Sequence, residues 1–193
     1  MNNAELRESL IARSACRDAM DWLGGRDSDQ MWAECPRPDW LLWWAGQIVP
    51  RRDLVLAACD CAETALQFLP ADEHRPRLAI ETARRWAQGE ATLEEVAAAA
   101  NAANTAEYAA PLSARAAAYA AHAASRAAYA AVFSADLAAY AAPLSARAAA
   151  YAAEAADYAA DYAADYSAAR AAMLLLIRQR WPQCPIRVDE VAQ

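Results

Sequence analysis

The chain has no lysine; all 18 of its Lys/Arg residues are arginine. Acidic residues outnumber them, leaving a formal net charge of −7 and a pI near 4.9. Most of that acidity falls in residues 1–97. Binding a phosphate backbone needs clustered basic side chains, so a nucleic-acid partner is not expected. Glycine is nearly as scarce, with only Gly24, Gly25, Gly46 and Gly89. None of them forms a glycine-rich loop ahead of a helix, which excludes the usual phosphate cradle and the nucleotide chemistry that goes with it. Histidine occurs only at His74 and His122, and no CxxC, HxxxH or ExxH spacing is present. Neither a metal site nor a cofactor is expected.

Long apolar runs are also missing. Met173 to Ile177 is a run of only five large apolar residues, too short to cross a bilayer, so no membrane partner is expected. The first residues, Met1 to Glu5, carry neither a basic region nor an apolar stretch. The cysteines, Cys16, Cys35, Cys59, Cys61 and Cys184, are odd in number and follow no disulfide framework. From these features a soluble protein of a reducing cytoplasm is expected. Cys59 and Cys61, two apart on a helix, point about 200° away from each other and do not form a chelate. The cysteines read best as buried small apolar side chains. Ser113 and Ser145 follow Pro-Leu and read as helix caps rather than nucleophiles. Nothing in the chain looks catalytic, and it is not expected to be an enzyme.

No segment alternates as a strand does, so the expected class is all-α: an N-terminal bundle of about five short helices packed against a long Ala/Tyr-rich helical hairpin. A first helix is read from an Asn3 cap through Leu6, Leu10, Cys16, Met20 and Leu23 to Gly24-Gly25. A short helix after Ser28 carries Met31 and Trp32 and stops at Pro36 and Pro38. Asp39 caps a helix containing Trp40 to Trp44, closed by Pro50. Asp53 caps the next, with Leu54, Ala58, Cys61, Ala65 and Leu69 on one face. Pro76 opens a helix with Ala79, Ala83 and Trp86 inward and an Arg77, Glu81, Arg85 ladder outward, ended by Gly89. Thr92 and Glu95 form a capping box for the helix after it.

From about Val96 to Ala172 alanine dominates, punctuated by tyrosine. Alanine has the highest helix propensity, so this is helix rather than linker. The sequence YAAPLSARAAAYAA at 108–121 recurs unchanged at 140–153, which marks an internal duplication. Tyr108, Tyr119, Tyr129, Tyr140 and Tyr151 recur every ten or eleven residues, close to three turns, and so share a face. With Pro111 and Pro143 as breaks, two helices are expected over Leu112–Ala141 and Leu144–Arg180. The expected organisation is residues 1–96 with a tryptophan-rich core, residues 97–181 as long Ala/Tyr helices continuous with it, and residues 182–193 as a loose tail.

Three groups are candidate sites. Asp157, Asp161 and Asp165 run beside Tyr158, Tyr162 and Tyr166, either as a solvated acidic face or as a partner-binding face. Trp32, Trp40, Trp43, Trp44 and Trp86 are either core or the walls of a ligand pocket. Arg77, Glu81, Arg84 and Arg85 are either an anion site or a salt-bridged helix face.

Three stretches and a fourth behind them carry a resemblance. Cys16 to Leu23 (CRDAMDWL), Met31 to Pro36 (MWAECP) and Asp39 to Trp43 (DWLLW) resemble the immunity proteins linked to bacterial polymorphic toxin systems. Arg77 to Ala83 and Trp86 to Thr92 extend the likeness, as does the Ala/Tyr-rich tail, so it spans most of the chain. It implies a protein that neutralises a toxin domain by stoichiometric binding, and it supplies no catalytic residue to carry over; the acidic balance suits a basic toxin domain. Two other functions fit the residues: a protein that sequesters a small ligand such as a nucleotide or metabolite, and a structural protein that forms a homo-oligomer through its tyrosine stripe.

Overall fold

The computed structural model describes residues 1–64, 66, 70–109 and 166–185. These form eight α-helices, and no strand occurs among the described residues. The helices are α1 (Asn3–Ala12), α2 (Arg17–Leu23), α3 (Ser28–Glu34), α4 (Pro38–Ala45), α5 (Arg51–Glu63), α6 (Arg75–Gln88), α7 (Leu93–Ala109) and α8 (Tyr166–Arg180). The all-α class is therefore as the sequence implies. The span expected as a hairpin lies outside the described residues except at its two ends, where α7 runs to Ala109 and α8 begins at Tyr166.

The expected first helix is two helices. α1 is capped by Asn2 rather than Asn3: the Asn2 side chain accepts from the Glu5 N–H at 3.0 Å, and the Glu5 carboxylate accepts from the Asn2 N–H at 3.1 Å. The chain then leaves the helix at Arg13, and Ser14 adopts φ +61°. The reason can be read in the spacing. Leu6 to Leu10 and Cys16 to Leu23 step by three or four, but Leu10 to Cys16 is six, which turns the stripe off its face. Breaking the helix restores the register, and both Leu10 and Leu23 are buried.

Prolines set the next two boundaries. α3 is capped by an Asp27–Gln30 box and ends at Cys35, whose ψ of 122° is the extended conformation that a following proline imposes. Pro38 does not stop a helix but starts α4, since its fixed φ suits the first helical position. The cap is Arg37, and Asp39 falls in the first turn, where a carboxylate is favoured by the helix dipole. Pro50 likewise sits just before α5, and Asp53 lies inside its first turn instead of capping it.

α5 is the centre of the packing. Leu54, Val55, Ala57, Ala58, Cys59, Cys61 and Ala62 are all buried, more than one face can supply, because α4, α6 and α8 all pack against it. Ala65 and Leu69, expected on the same face, are outside the described residues. α6 buries Ala79 and Ala83 as expected, together with Ile80 and Ala87, and half-buries Trp86. Gly89 ends it at φ +84°, a left-handed conformation that glycine adopts without strain. Thr92 and Glu95 then form the expected box at the start of α7, with Glu95 accepting from the Thr92 N–H at 2.7 Å. α7 lays Val96, Ala99, Ala100 and Ala103 against the core at helical spacing and packs along α6; small side chains let the two backbones approach closely.

α8 belongs to the same core. Met173 and Ile177, one turn apart, are fully buried, and the helix packs on α4 and α5. Arg178 reaches back to the end of α3, donating to the Trp32 carbonyl at 3.1 Å and the Cys35 carbonyl at 2.8 Å. Beyond Arg180, Trp181 and Cys184 pack on the core, while residues 186–193 lie outside the described residues.

Candidate functional site

Residues of α1, α2, α3 and α4, with the turns between them, line a half-open cavity of about 430 Å³. Its walls are mostly apolar. Leu10, Ala15, Ala19, Leu23 and Met31 supply aliphatic surface, and Trp22, Trp40, Trp43 and Trp44 supply aromatic surface. The split between α1 and α2 opens this space: Ser14, Ala15 and Cys16, which carry the chain around the break, all line it.

The aromatic residues are held in a fixed arrangement. Trp22 and Trp40 meet with ring centroids 6.0 Å apart at 56°, and Trp43 stacks on Trp44 at 6.3 Å and 29°. The Arg26 guanidinium lies over the Trp22 ring at 4.5 Å and that of Arg37 over Trp40 at 5.1 Å. Each cation has its own carboxylate. Arg26 pairs with Glu34 at 2.8 Å, and Arg37 holds Asp39 through two hydrogen bonds of 2.6 and 2.8 Å. Asp18, exposed at the cavity mouth, has no ion-pair partner among the described residues.

One polar atom behind the wall is unspent. Trp44 is only 2% exposed, and its indole nitrogen is covered yet has no hydrogen-bond partner among the described residues. A buried donor without an acceptor costs about 1–3 kcal/mol.

The tryptophans expected to act together separate into two roles. Trp40, Trp43 and Trp44 line the cavity. Trp32 is core: it is 2% exposed and donates its indole N–H to the Trp181 carbonyl at 3.0 Å. Trp86, on α6, is half-buried against the core and does not line the cavity. Sequence reasoning missed Trp22 as a wall residue. No helical spacing marked it: Arg26, whose guanidinium covers its ring, lies beyond the end of α2 at Gly24-Gly25.

The arginines of α6 do not gather into an anion site. Arg84 binds Asp60 at 2.8 Å and Glu63 at 2.7 Å on α5, and Arg180 reaches the same Asp60 at 2.5 Å. Burial works against the Arg84 charge, but the hydrogen bonds it donates to Glu63 and Asp60 outweigh it and hold its pKa above the usual arginine value. Arg77, Glu81 and Arg85 are exposed, and among the described residues neither arginine pairs with Glu81. The salt-bridged reading holds for Arg84, as a tie between helices instead of a ladder along one.

The cysteines divide by position. Cys35, Cys59 and Cys61 are buried, and burial pushes the Cys35 thiol up to about 11, that of Cys59 to about 12 and that of Cys61 well above its ordinary value. They are protonated and inert, as small apolar side chains should be. Cys59 and Cys61 face different neighbours, Cys59 donating to the Ile80 carbonyl on α6. Cys16 is exposed and Cys184 partly so, which corrects the expectation for those two. No group of metal-ligating side chains occurs among the described residues, and no described helix is long and apolar enough to cross a membrane. Asp157, Tyr158, Asp161, Tyr162 and Asp165 lie outside the described residues, and Tyr166 is the first residue of α8.

No protein-family model, no curated protein and no solved structure matches this chain.

Proposed function

We propose that this chain is a non-enzymatic binding protein that works through the tryptophan-lined cavity, and that its role is that of an immunity protein neutralising a toxin domain by stoichiometric binding. One observation carries the reading. The three sequence stretches that resemble immunity proteins all supply walls of one cavity. Asp18, Ala19 and Trp22 come from the first stretch, Met31 and Cys35 from the second, and Asp39, Trp40 and Trp43 from the third. The net charge of −7 would steer a basic toxin domain toward the protein. The Ala/Tyr-rich stretch, with Asp157, Tyr158, Asp161, Tyr162, Asp165 and Tyr166, is proposed as a second contact surface. Co-expression with toxin domains encoded beside this gene tests the role. Wild-type protein is expected to restore growth and to be retained with the toxin in a pull-down. Equal survival with and without the protein would remove the immunity role.

A second reading has its own support. A cavity of about 430 Å³ falls within the roughly 300–1,000 Å³ range of small-molecule sites, and apolar walls with a few convergent polar groups are typical of them. In this reading the protein sequesters a nucleotide or other metabolite. A thermal-shift screen of metabolites is expected to find a stabilising ligand, and a flat response across the screen would count against it.

A further inference from the structure

We infer that the cavity takes the positively charged end of an organic cation, a guanidinium or a quaternary ammonium, with Asp18 as its counter-ion and indole rings as its walls. The inference rests on the cavity being the working site, and it deepens that reading by naming the ligand class.

The charge balance leads to it. Arg26 is neutralised by Glu34 and Arg37 by Asp39, so the charged groups around the two tryptophan-backed arginines cancel in pairs. Asp18 remains, unpaired among the described residues and at the mouth of the cavity. Among the described lining residues, Arg37, Asp39 and Asp18 together leave about one negative charge, and most of the remaining wall is apolar. An anion entering it meets a like charge and no free cation. A neutral apolar ligand gains nothing from Asp18, which is exposed and solvated. A cation meets both a carboxylate and aromatic faces, whose quadrupoles attract positive charge.

These walls already accept this kind of contact. Arg26 and Arg37 place guanidinium carbons 4.5 and 5.1 Å from the Trp22 and Trp40 ring centroids, so indole rings of this wall hold planar cations, and these two faces are taken. Neither arginine stacks on Trp43, whose ring is a wall of the same cavity.

The test uses the whole chain and two matched pairs of ligands. Acetyl-arginine amide is compared with acetyl-citrulline amide, which has nearly the same shape and no charge. Choline is compared with 3,3-dimethylbutan-1-ol for the same reason. Binding is read from the indole N–H resonances of the seven tryptophans. The cation of at least one pair is expected to bind about tenfold more tightly than its neutral partner. That preference should fall to about twofold or less in Asp18→Asn, a substitution at an exposed position that leaves the fold intact. Preference for the arginine pair assigns the ligand to a protein or peptide; preference for the choline pair assigns it to a free quaternary ammonium. Equal binding of charged and neutral partners would overturn the cation assignment and leave the cavity as a site. A preference that survives Asp18→Asn unchanged would overturn the role of Asp18 and the inference with it. If no ligand moves any indole resonance at millimolar concentration, the inference is overturned, and the cavity reading is then decided by an unbiased fragment screen.

Discussion

Trp32 and Trp181 meet edge to face with ring centroids 6.4 Å apart, and the Trp32 indole N–H donates to the Trp181 carbonyl at 3.0 Å. These residues are 149 positions apart, so the pair ties the end of α8 to the N-terminal helices. Trp44 provides a control. It is the same residue type with the same 2% exposure, but its N–H has no partner among the described residues. Trp32→Phe and Trp44→Phe delete the same atoms from sites of equal burial, and only the first strands an acceptor. Trp32→Phe is expected to lower unfolding free energy by about 1–3 kcal/mol more than Trp44→Phe. Urea denaturation of both variants checks this, and equal losses would mean that the hydrogen bond contributes nothing.

Arg178 strengthens the same tie by donating to two carbonyls at the end of α3. Those carbonyls have no intrahelical partner, and a cation at a helix C-terminus is favoured by the dipole. Arg178→Met keeps much of the side-chain stem and removes both bonds. A loss of about 1.5–3 kcal/mol is expected by chemical denaturation, and Trp181 fluorescence should shift as the segment loosens.

Asp60 accepts from both Arg84 and Arg180, and so joins α5 to α6 and α8. All three side chains are about a quarter exposed, which moderates the energy. Asp60→Asn is expected to cost about 1–3 kcal/mol, with the gap to wild type narrowing in 1 M salt. Glu63→Gln, at a side chain 47% exposed, should cost under about 1 kcal/mol. Thermal melts at two salt concentrations distinguish the two positions.

Thiol chemistry reads the burial directly. Cys16 should react first with an alkylating agent at pH 8, followed by Cys184, while Cys35, Cys59 and Cys61 react only after unfolding. Peptide mass spectrometry assigns the sites. The three buried thiols have pKa values raised above the ordinary 9.0. Unfolded cysteines ionise from about pH 9 upward while the native ones stay protonated. Their contribution to stability is therefore complete below pH 9 and falls as pH rises toward 12.

At the acid end the sign reverses. Hydrogen bonds from the Thr92 backbone N–H, and then its side chain, hold the Glu95 carboxyl below its ordinary 4.5, and Arg75 does the same for Glu73. The stability these groups supply is present above pH 4.5 and is lost as pH falls through the lower native values. Glu95→Gln keeps a capping side chain but cannot titrate, so its melting temperature should fall less steeply than that of wild type between pH 5 and pH 3.

Much of this fold was legible in local chemistry. The capping box at Thr92–Glu95, the stop at Gly89 and the inward alanines of α6 are set by neighbours three or four residues away, and periodicity finds them. The break at Ser14 was written in the six-residue gap between Leu10 and Cys16, but a stripe counted over twenty residues averages it away. Pro38 and Pro50 were read as stops when they act as starts, because the residue ahead of a helix and the residue after one accept proline equally well. The cavity was only partly legible. Trp40, Trp43 and Trp44 follow from their run in α4, but Trp22 and Asp18 join them through the packing of α2 on α4, which no local pattern encodes. The pairing of Trp32 with Trp181 is more remote still, and separates Trp32 from the tryptophans it neighbours in sequence.

The central claim is that the tryptophan-lined cavity is a binding site. A ligand-observed NMR screen of a chemically mixed fragment library, run on wild type and on Ala19→Phe, tests it most directly. Ala19 is a half-buried wall residue, and phenylalanine there fills the cavity from its rim. The account expects hits on wild type that disappear in the filled variant while both proteins melt at similar temperatures. An empty screen, or hits that persist unchanged in Ala19→Phe, would contradict it.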